Sequence, residues 1–253
     1  MTLNSSTITA SSASRIHPAG LLSIGLGSIL SSLDLFVVNL AFPSISRSFP
    51  GHPEAALSMI LTIFSVCFAS TLVLSGRLAD RYGRRTIFSV GLALFGLSSL
   101  LCGVSPTLWI LIAARAIQGF AAAMLIPTSL GLLLGAYPQE KHKQVIGFWA
   151  ATGSVAAAAG PVLGGFLVQA DWHLIFFINV PIVIGALICT RYLKESVAHA
   201  GPAPDITGSV LLTSGIALLT GTIAHASEWA TQEAGIFSGG LGAVVILTVF
   251  VYH

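Results

Sequence analysis

Residues 76–85 read GRLADRYGRR, and this short charged segment decides how the chain is built. It holds four arginines and one aspartate, while the whole chain has only 11 Lys and Arg and 9 Asp and Glu residues. Nearly uncharged stretches flank it at 55–76 and 86–104. A helix needs about 20 apolar residues to cross a bilayer, so each stretch is long enough for one transmembrane helix. The segment is therefore predicted to be a tight connection at a membrane surface.

The composition of the whole chain also indicates a membrane protein. Only 8% of its 253 residues are charged, 55% are hydrophobic, and the mean hydropathy is +0.90. Soluble domains have about 25% charged residues, so an ordinary soluble enzyme is excluded. A net charge of +2 provides no basic surface for nucleic acid, and disordered chains are poor in apolar residues. The predicted fold class is therefore all-α, a bundle of helices that spans the membrane several times.

About eight transmembrane helices are predicted from the stretches with almost no charge. They cover residues 20–41, 55–76, 86–104, 107–135, 144–169, 173–191, 206–224 and 235–252. Nine of the 11 basic residues then fall on one side of the membrane, namely Arg15, Arg77, Arg81, Arg84, Arg85, Lys141, Lys143, Arg191 and Lys194. Because basic loops stay in the cytoplasm, the N-terminus is predicted to be cytoplasmic.

The same pattern divides the chain into four regions. Residues 1–19, rich in Ser, Thr and Ala, are predicted to be a disordered cytoplasmic tail without a cleaved signal. Residues 20–194 form a six-helix bundle, and 195–205, with two prolines and a glycine, form a cytoplasmic linker. Residues 206–253 add two helices, and the chain ends there before a second bundle.

Two interpretations of the charged segment are open. Its arginines alone would anchor the loop in the cytoplasm, but this does not explain the acid among them or the glycine at each end. Glycine permits a tight turn and close approach, and an aspartate can pair with an arginine or a helix N-terminus. A gating latch between two bundles would use Gly76, Arg77, Asp80, Arg81, Gly83, Arg84 and Arg85.

Five segments together resemble one family of membrane carriers. Residues 76–85 are similar to the loop signature of the major facilitator superfamily, and 33–43 (LDLFVVNLAFP) to the end of span one in its fourteen-span drug:proton antiporters. Residues 115–119 (RAIQG) resemble the motif of span four. The remaining matches are 153–165 (GSVAAAAGPVLGG) to the span-five antiporter motif and 172–181 (WHLIFFINVP) to the opening of span six. Phe36 stands where Thr is usual, and His173 where Arg is usual.

This resemblance implies a function. Members of that subfamily export amphipathic or cationic organic compounds by alternating access, with inward proton flow as the driving force. The implied coupling ion is the proton, and no cofactor is expected. The implied location is the cell membrane (plasma or inner), with the lipid bilayer and a small organic substrate as partners. A Phe-, Leu- and Ala-rich cavity with few charges suits such cargo better than sugars.

Asp34 and Arg115 are the two charged residues predicted to lie inside spans. A charge within the membrane is costly and commonly functional, although Asp34, about 9 Å from the predicted helix end, could simply reach headgroup water. Burial of a carboxylic acid favours its protonated form, so Asp34 is a candidate for proton uptake and release. Arg115, about 12 Å along its span, either caps polar groups in the bundle or modulates the acid. We expect both in one hydrated polar patch.

Small residues recur along the predicted fifth span. Gly153, Gly160, Pro161, Gly164 and Gly165 belong to the segment that resembles the antiporter motif. Spacings of three and four residues build a smooth helix face that favours close packing, and proline bends a helix locally. Ordinary helix packing explains the face, while the resemblance adds a bend that closes a leak path between two halves.

Three polar residues within spans, Asn39, Gln118 and Thr128, are candidates to line a cavity, or to join helices by hydrogen bonds. The sequence has no motif of a hydrolytic nucleophile, a zinc site or a phosphate loop, so no catalytic residue, metal site or enzymatic activity is predicted. Two alternatives to drug export are a carrier of another small metabolite and a transport-inactive fragment. In the fragment, the missing C-terminal bundle or another membrane chain is required.

Overall fold

The computed structural model describes residues 16–195, 206–224 and 233–252, and all its regular elements are helical. Nine α-helices appear in these ranges. They are α1 (Pro18–Ser48), α2 (Glu54–Tyr82), α3 (Arg84–Gly103), α4 (Leu108–Ala136), α5 (His142–Ala170), α6 (Leu174–Phe177), α7 (Asn179–Thr190), α8 (Ile206–Ala224) and α9 (Glu233–Tyr252). A 3₁₀ turn, Gln139–Lys141, precedes α5.

The helices α1 to α5 are long and apolar enough to cross a membrane, and three shorter apolar segments follow at Leu174–Thr190, Val210–Ile223 and Gly239–Phe250. The prediction of an all-α, multispanning bundle is confirmed, with helices at all eight predicted places. Residues 1–15 and 196–205, which include most of the predicted tail and linker, lie outside the described residues. The division into domains and the cytoplasmic N-terminus stay predictions.

Two helix ends differ from the sequence prediction. Helix α1 continues past residue 41 to Ser48, so Arg47 lies in its last turn and donates to the Pro43 carbonyl oxygen at 3.0 Å. Asp34 is thus about 21 Å from the end of this helix, near its middle, and the predicted 9 Å is wrong. Helix α2 continues to Tyr82, because the charged side chains of its last turn lie outside the apolar packing and do not interrupt the helix.

The predicted span 173–191 is two helices, α6 and α7, joined at Ile178. Pro181 lies in the first turn of α7 and has no amide hydrogen to donate to the carbonyl of Phe177, four residues earlier. A continuous helix would need that bond. The proline that was part of the span-six resemblance therefore coincides with a local interruption.

Helix α1 is central in the bundle, since it contacts α5, α7, α4 and α6. Helix α4 packs against α2 and α3 as well, while α8 contacts α9 and α2. Two apolar clusters fill the space between helices: one contains Val37, Leu111 and Phe176, and the other contains Phe64, Phe88 and Leu125. The charged residues Asp34 and Arg115 are the only Asp, Glu, Lys or Arg residues buried among the described side chains.

Candidate functional site

The structure brings Asp34 of α1 and Arg115 of α4 into direct contact. Arg115 Nη1 donates to Asp34 Oδ2 at 2.5 Å, and each side chain is only 1% exposed. Both charges can be buried here because each one is paired with the other. Removal of one partner alone is strongly destabilising, since the remaining charge would be buried without a counter-charge. The expectation that the two residues share one patch agrees with this geometry. Their part in coupling stays a prediction.

Gln118 completes the polar cluster. Its Nε2 donates to Asp34 Oδ1 at 3.0 Å, and its Oε1 accepts from Arg115 Nη1 at 2.8 Å. Arg115 and Gln118 are three residues apart on α4, which places both on one face of the helix, toward α1. Gln118 therefore holds both members of the ion pair at once and belongs to the charged site. Of the two alternatives for Gln118, lining a cavity or joining helices by hydrogen bonds, this placement agrees with the second.

The remaining surroundings of Arg115 are protein as well. Its Nε donates to the carbonyl oxygen of Ile60 on α2 at 3.3 Å, and its guanidinium carbon lies 4.2 Å from the centre of the Phe64 ring. Cation–π contact of this kind is stabilising when both groups are removed from water. The patch is therefore enclosed by protein, and both charged side chains are buried.

Gly119 makes this arrangement possible. A Cβ atom at this position would lie about 3.1 Å from the Cα and carbonyl carbon of Phe64 and would collide with the Phe64 carbonyl oxygen. Only glycine lets the backbones of α2 and α4 approach so closely. The sequence prediction did not include Gly119 among the site residues, although it ends the RAIQG segment next to Gln118. Its role becomes visible only when α2 is placed against α4.

Helix α1 separates the charged cluster from an exposed apolar face. Asp34 points toward α4, whereas Leu35, Phe36 and Leu40 are 40–44% exposed. Asn39 is exposed on the same side, and its amide donates to the carbonyl oxygen of Leu35 in its own helix. Of the cavity candidates, Asn39 alone therefore lies on an open face, next to apolar side chains.

Thr128 does not line a cavity. Its side chain is fully buried, and its hydroxyl donates to carbonyl oxygens of its own helix, those of Met124 at 2.5 Å and Leu125 at 3.2 Å. Threonine in a helix commonly satisfies its hydroxyl in this manner. The sequence expectation for Thr128 is therefore corrected to a buried position within α4.

Only Gly83 forms the turn in the charged segment. Its φ is +94°, which favours glycine, and it separates α2 from α3. Gly76 lies inside α2, where an added Cβ would meet nothing within 4 Å, so its expected role in a turn or close contact is wrong. The positions of Arg77 and Arg81 are likewise helical, because α2 continues to Tyr82.

Two contacts of Arg84 fasten the start of α3. Arg84 Nη2 pairs with Asp80 Oδ1 at 3.2 Å across the turn, and Nη1 donates to the carbonyl oxygen of Gly131 on α4 at 2.9 Å. An added Cβ on Gly131 would lie 2.9 Å from the Arg84 side chain, so the glycine makes room for this arginine. The expected pairing of Asp80 with an arginine is thus present and joins α2 to α3. The second contact of Arg84 joins α3 to α4.

Glu195 is a further member of this cluster that sequence analysis placed in the linker. Its Oε1 accepts from the backbone N–H of Arg85 at 3.0 Å, and its Oε2 accepts from the Thr86 hydroxyl at 2.7 Å. A carboxylate at a helix N-terminus is favourable because it satisfies unpaired amides there. A Cβ on Gly83 would lie 2.5 Å from Glu195 Oε1, so Gly83 provides the space. An acid 110 residues away carries no local sequence signal for this contact.

The glycine face of α5 packs against α1. A Cβ added to Gly160 would lie 3.0 Å from Phe36 Cβ, and one added to Gly164 would lie 3.2 Å from Val37 Cγ1. The other residues of the motif contribute less: Gly153 and Gly165 have looser surroundings, and Pro161 is exposed. The predicted smooth face therefore exists, and its partner is the helix that carries Asp34.

A second polar cluster lies at the end of α5 and the start of α6. Trp172 stacks on His173 with 3.7 Å between ring centroids, and its Nε1 donates to Ser48 Oγ at 2.9 Å. Asp171 accepts from the backbone N–H of His173 at 2.9 Å and pairs with its Nδ1 at 2.5 Å. This turn is thereby fixed to the end of α1.

We expect a small pH dependence of stability from this turn. The backbone N–H of His173, and then its imidazole, hold the pKa of Asp171 below the usual range. Ionised Asp171 therefore stabilises the fold above about pH 4, and this contribution is lost as the pH falls through the lowered pKa of the folded chain. Thermal unfolding in detergent between about pH 3 and pH 6 should show a steeper acid loss for wild type than for Asp171→Asn. Equal slopes would contradict this expectation.

Within the described ranges, no group of three or more His, Cys, Asp or Glu residues is arranged to hold a metal ion. The three cysteines are free thiols: Cys102 is buried and donates weakly to Gln118 Oε1 at 3.6 Å, while Cys67 and Cys189 are partly buried. The candidate site is therefore the cluster of Asp34, Arg115 and Gln118, with Gly119 and the packed α2 beside it.

Comparison with known proteins agrees with this architecture. The sequence model described as Major Facilitator Superfamily matches residues 24–252. Multidrug resistance protein Stp of Mycobacterium tuberculosis is 37% identical over 202 residues, 79% of this chain and 37% of that protein. Methylenomycin A resistance protein of Bacillus subtilis is 34% identical over 232 residues, 91% of this chain and 50% of that protein. The chain thus spans half or less of the length of these relatives.

A solved structure gives the same result for the fold. The crystal structure of peptide transporter POT in complex with sulfate matches with a TM-score of 0.67 at 15% sequence identity, over 93% of this chain and 52% of that chain. At this identity the likeness concerns the fold alone. With the family match covering nearly the whole sequence, the chain belongs to the major facilitator superfamily.

Proposed function

We propose that this chain takes part in proton-coupled export of amphipathic or cationic organic compounds by alternating access. Two relatives over 30% identical bear names of drug or antibiotic resistance proteins. The observation that carries the proposal is the buried ion pair of Asp34 and Arg115 in the middle of an apolar bundle. A costly intramembrane charge is retained where it has a use in moving ions or substrates.

The geometry of the ion pair supports a proposed coupling mechanism. A proton and Arg115 compete for the same carboxylate, because Asp34 Oδ2 accepts from Arg115 Nη1 and Asp34 Oδ1 from Gln118. Protonation therefore removes the attraction that holds α1 to α4 at this point. Proton uptake then favours a conformation in which the two helices have separated, and proton release favours their reunion. Alternating access requires an element with two conformations whose populations are shifted by a bound ligand, which here is the proton.

Other contacts fit such a movement. The glycine face of α5 provides a smooth surface along which α1 can shift, since Gly160 and Gly164 present no side chain to Phe36 and Val37. At the other end of the bundle, Arg84 and Glu195 fasten the start of α3 to α4 and to the segment that follows α7. In our proposal this cluster is the cytoplasmic gate, which opens when the helix ends move apart.

The remaining assignments form part of the same proposal. The chain lies in the plasma or inner membrane with its N-terminus in the cytoplasm, uses the proton as coupling ion without a cofactor, and has no enzymatic activity. Its partners are the lipid bilayer and a small organic substrate, and it does not bind nucleic acid. Export requires a second bundle, supplied by further residues or another membrane chain, because alternating access moves one bundle against another.

The alternatives can be separated by their predicted behaviour. A carrier of a small polar metabolite needs several hydrogen-bonding groups on its open face, and the exposed face of α1 offers Asn39 among Leu35, Phe36 and Leu40. A transport-inactive fragment has some support in the coverage of the relatives, which does not exceed half of their length in the two matches described. This second alternative predicts a stable chain without transport.

Proton-driven dye efflux tests the proposal. Everted membrane vesicles that contain the chain should concentrate a cationic dye in their lumen, which corresponds to efflux from the cell, when the lumen is acidified. Asp34→Asn should abolish the dependence on the gradient, because its amide cannot exchange a proton at this site. Asp171→Asn is the matched control, since it removes an exposed carboxylate and should leave efflux unchanged.

Full proton-dependent efflux by Asp34→Asn would overturn the coupling role. Absence of efflux with the wild-type chain, with normal expression and thermal unfolding, would instead support the transport-inactive fragment.

A further inference from the structure

The joint between α6 and α7 keeps a backbone bond from Ile178 N–H to the Leu174 carbonyl oxygen at 3.0 Å, and side chains connect it to α3. Ser99 on α3 donates from Oγ to the carbonyl oxygen of Phe176 at 2.9 Å, and Asn179 Nδ2 donates to Ser99 Oγ at 3.0 Å. Both Ser99 and Asn179 are fully buried. The joint thus depends on a two-bond connection to a neighbouring helix.

This joint is incompletely satisfied in the observed conformation. Asn179 Oδ1 is buried and has no hydrogen-bond partner among the described residues. A buried carbonyl without a donor raises the free energy of the state in which it occurs, and more so in a membrane interior. A conformation that gives this oxygen a donor gains a hydrogen bond that the observed conformation lacks.

Helix α3 offers a seat on which α6 and α7 can shift. A Cβ added to Gly96 would lie 2.8 Å from Val183 Cγ1, and one added to Gly103 would lie 2.8 Å from Phe177 Cε1. The side chains on either side of the joint therefore rest directly on glycine backbone. At these two positions α3 presents no side chain that would obstruct a shift of α6 and α7.

Phe176 connects the joint to the charged cluster. Its ring centre is 6.0 Å from the guanidinium carbon of Arg115, while its backbone carbonyl is the acceptor for Ser99. A second connection runs through α3, where Cys102 contacts Gln118. When Asp34 is neutral, the Arg115 cation loses its carboxylate partner and keeps its hydrogen bonds to Gln118 and Ile60 and its contacts with the aromatic rings. A movement of the guanidinium then acts directly on Phe176.

We propose that the α6–α7 joint changes conformation when Asp34 is neutralised, with Phe176 transmitting the change and Ser99 and Asn179 as positioning residues. This rests on the proposed function in one respect: neutralisation of Asp34 is taken to be a step of the transport cycle. The proposal gives the span-six segment a part in the transport cycle, although its residues neither bind the proton nor contact the exposed face of α1.

Amide hydrogen exchange in the full chain, reconstituted in lipid nanodiscs, tests the proposal. Exchange in peptides that cover 174–190 should rise by about tenfold or more in Asp34→Asn relative to wild type, because opening of the joint exposes its amides. In the background Phe176→Leu, which keeps bulk but removes the aromatic face, Asp34→Asn should have no further effect. Phe177→Leu is the matched control and should retain the response, since Phe177 rests on Gly103 and not on Arg115.

Equal exchange in wild type and Asp34→Asn, or an unchanged response in the Phe176→Leu background, would overturn the proposal. If Asp34→Asn does not fold, Asp34→Ser, which also keeps the Arg115 guanidinium, tests the same step and should raise exchange. Exchange is measured without substrate, so the two proposals fail separately. Altered efflux with unaltered exchange would refute only the proposed change at the α6–α7 joint. Altered exchange with unaltered efflux would refute only proton-coupled export.

Discussion

Replacement of Arg115 with methionine should lower the free energy of unfolding by about 3–5 kcal/mol, the usual cost of removing one partner of a buried ion pair. Methionine fills much of the same space, so the loss comes from the Asp34 carboxylate, which would remain buried at 1% exposure without a counter-charge. The Gln118 amide and the Ile60 carbonyl also lose a donor. Chemical unfolding in mixed micelles measures the change.

The matched control is the double variant Asp34→Leu/Arg115→Met. Replacement of a whole buried ion pair by apolar side chains is often neutral or stabilising. We therefore expect the double variant to recover most of the lost stability and to differ from wild type by about 1–2 kcal/mol, because Gln118 still lacks its partners. Proton-dependent efflux should nevertheless be absent. A double variant as unstable as Arg115→Met would contradict our description of the pair.

Gly119→Ala should destabilise the chain by about 1–3 kcal/mol, the usual cost of overpacking, and should weaken the charged cluster at the same time. The new methyl group would collide with the Phe64 backbone, which is part of α2 and cannot rotate aside. Helices α2 and α4 must then separate, and the Ile60 carbonyl and Phe64 ring move away from Arg115. Thermal unfolding and proton-dependent efflux should therefore both decrease.

Gly135→Ala provides a control on the same helix. An added Cβ at Gly135 would meet nothing within 4 Å, so alanine is accommodated without displacement. Because alanine favours a helix over glycine by about 1 kcal/mol, this variant should be as stable as wild type or slightly more stable. If both variants lost the same stability, close approach of α2 and α4 at Gly119 could not be the cause.

Sequence analysis predicted the helical architecture because apolar stretches and charge asymmetry are local signals. The helices lie at all the predicted places, yet α1 and α2 extend past the predicted ends, to Ser48 and Tyr82. A charged residue at the membrane boundary ends an apolar stretch without ending a helix. Both helices were therefore predicted to end about two turns too early.

Asp34 and Arg115 could be predicted as site residues, because a lone charge inside an apolar span is visible in the sequence. Gly119 and Glu195 could not be placed in their clusters. The close approach of two helices, and a cap supplied from 110 residues away, depend on tertiary structure. Gly76 was wrongly assigned to a turn because both glycines of the segment are equivalent in sequence. Only Gly83 has the positive φ that distinguishes them.

The orientation of Asp34 toward α4, with Phe36 and Leu40 on the opposite side of the same helix, has a consequence for what such an exporter can carry. A substrate bound against Phe36 and a proton bound to Asp34 would lie on opposite sides of the same helix. They would therefore not compete for one binding site. Their exchange is then linked through the position of α1 alone. For the proposed export function we therefore expect neutral and positively charged compounds of similar shape to be carried alike, with selection by hydrophobicity and shape.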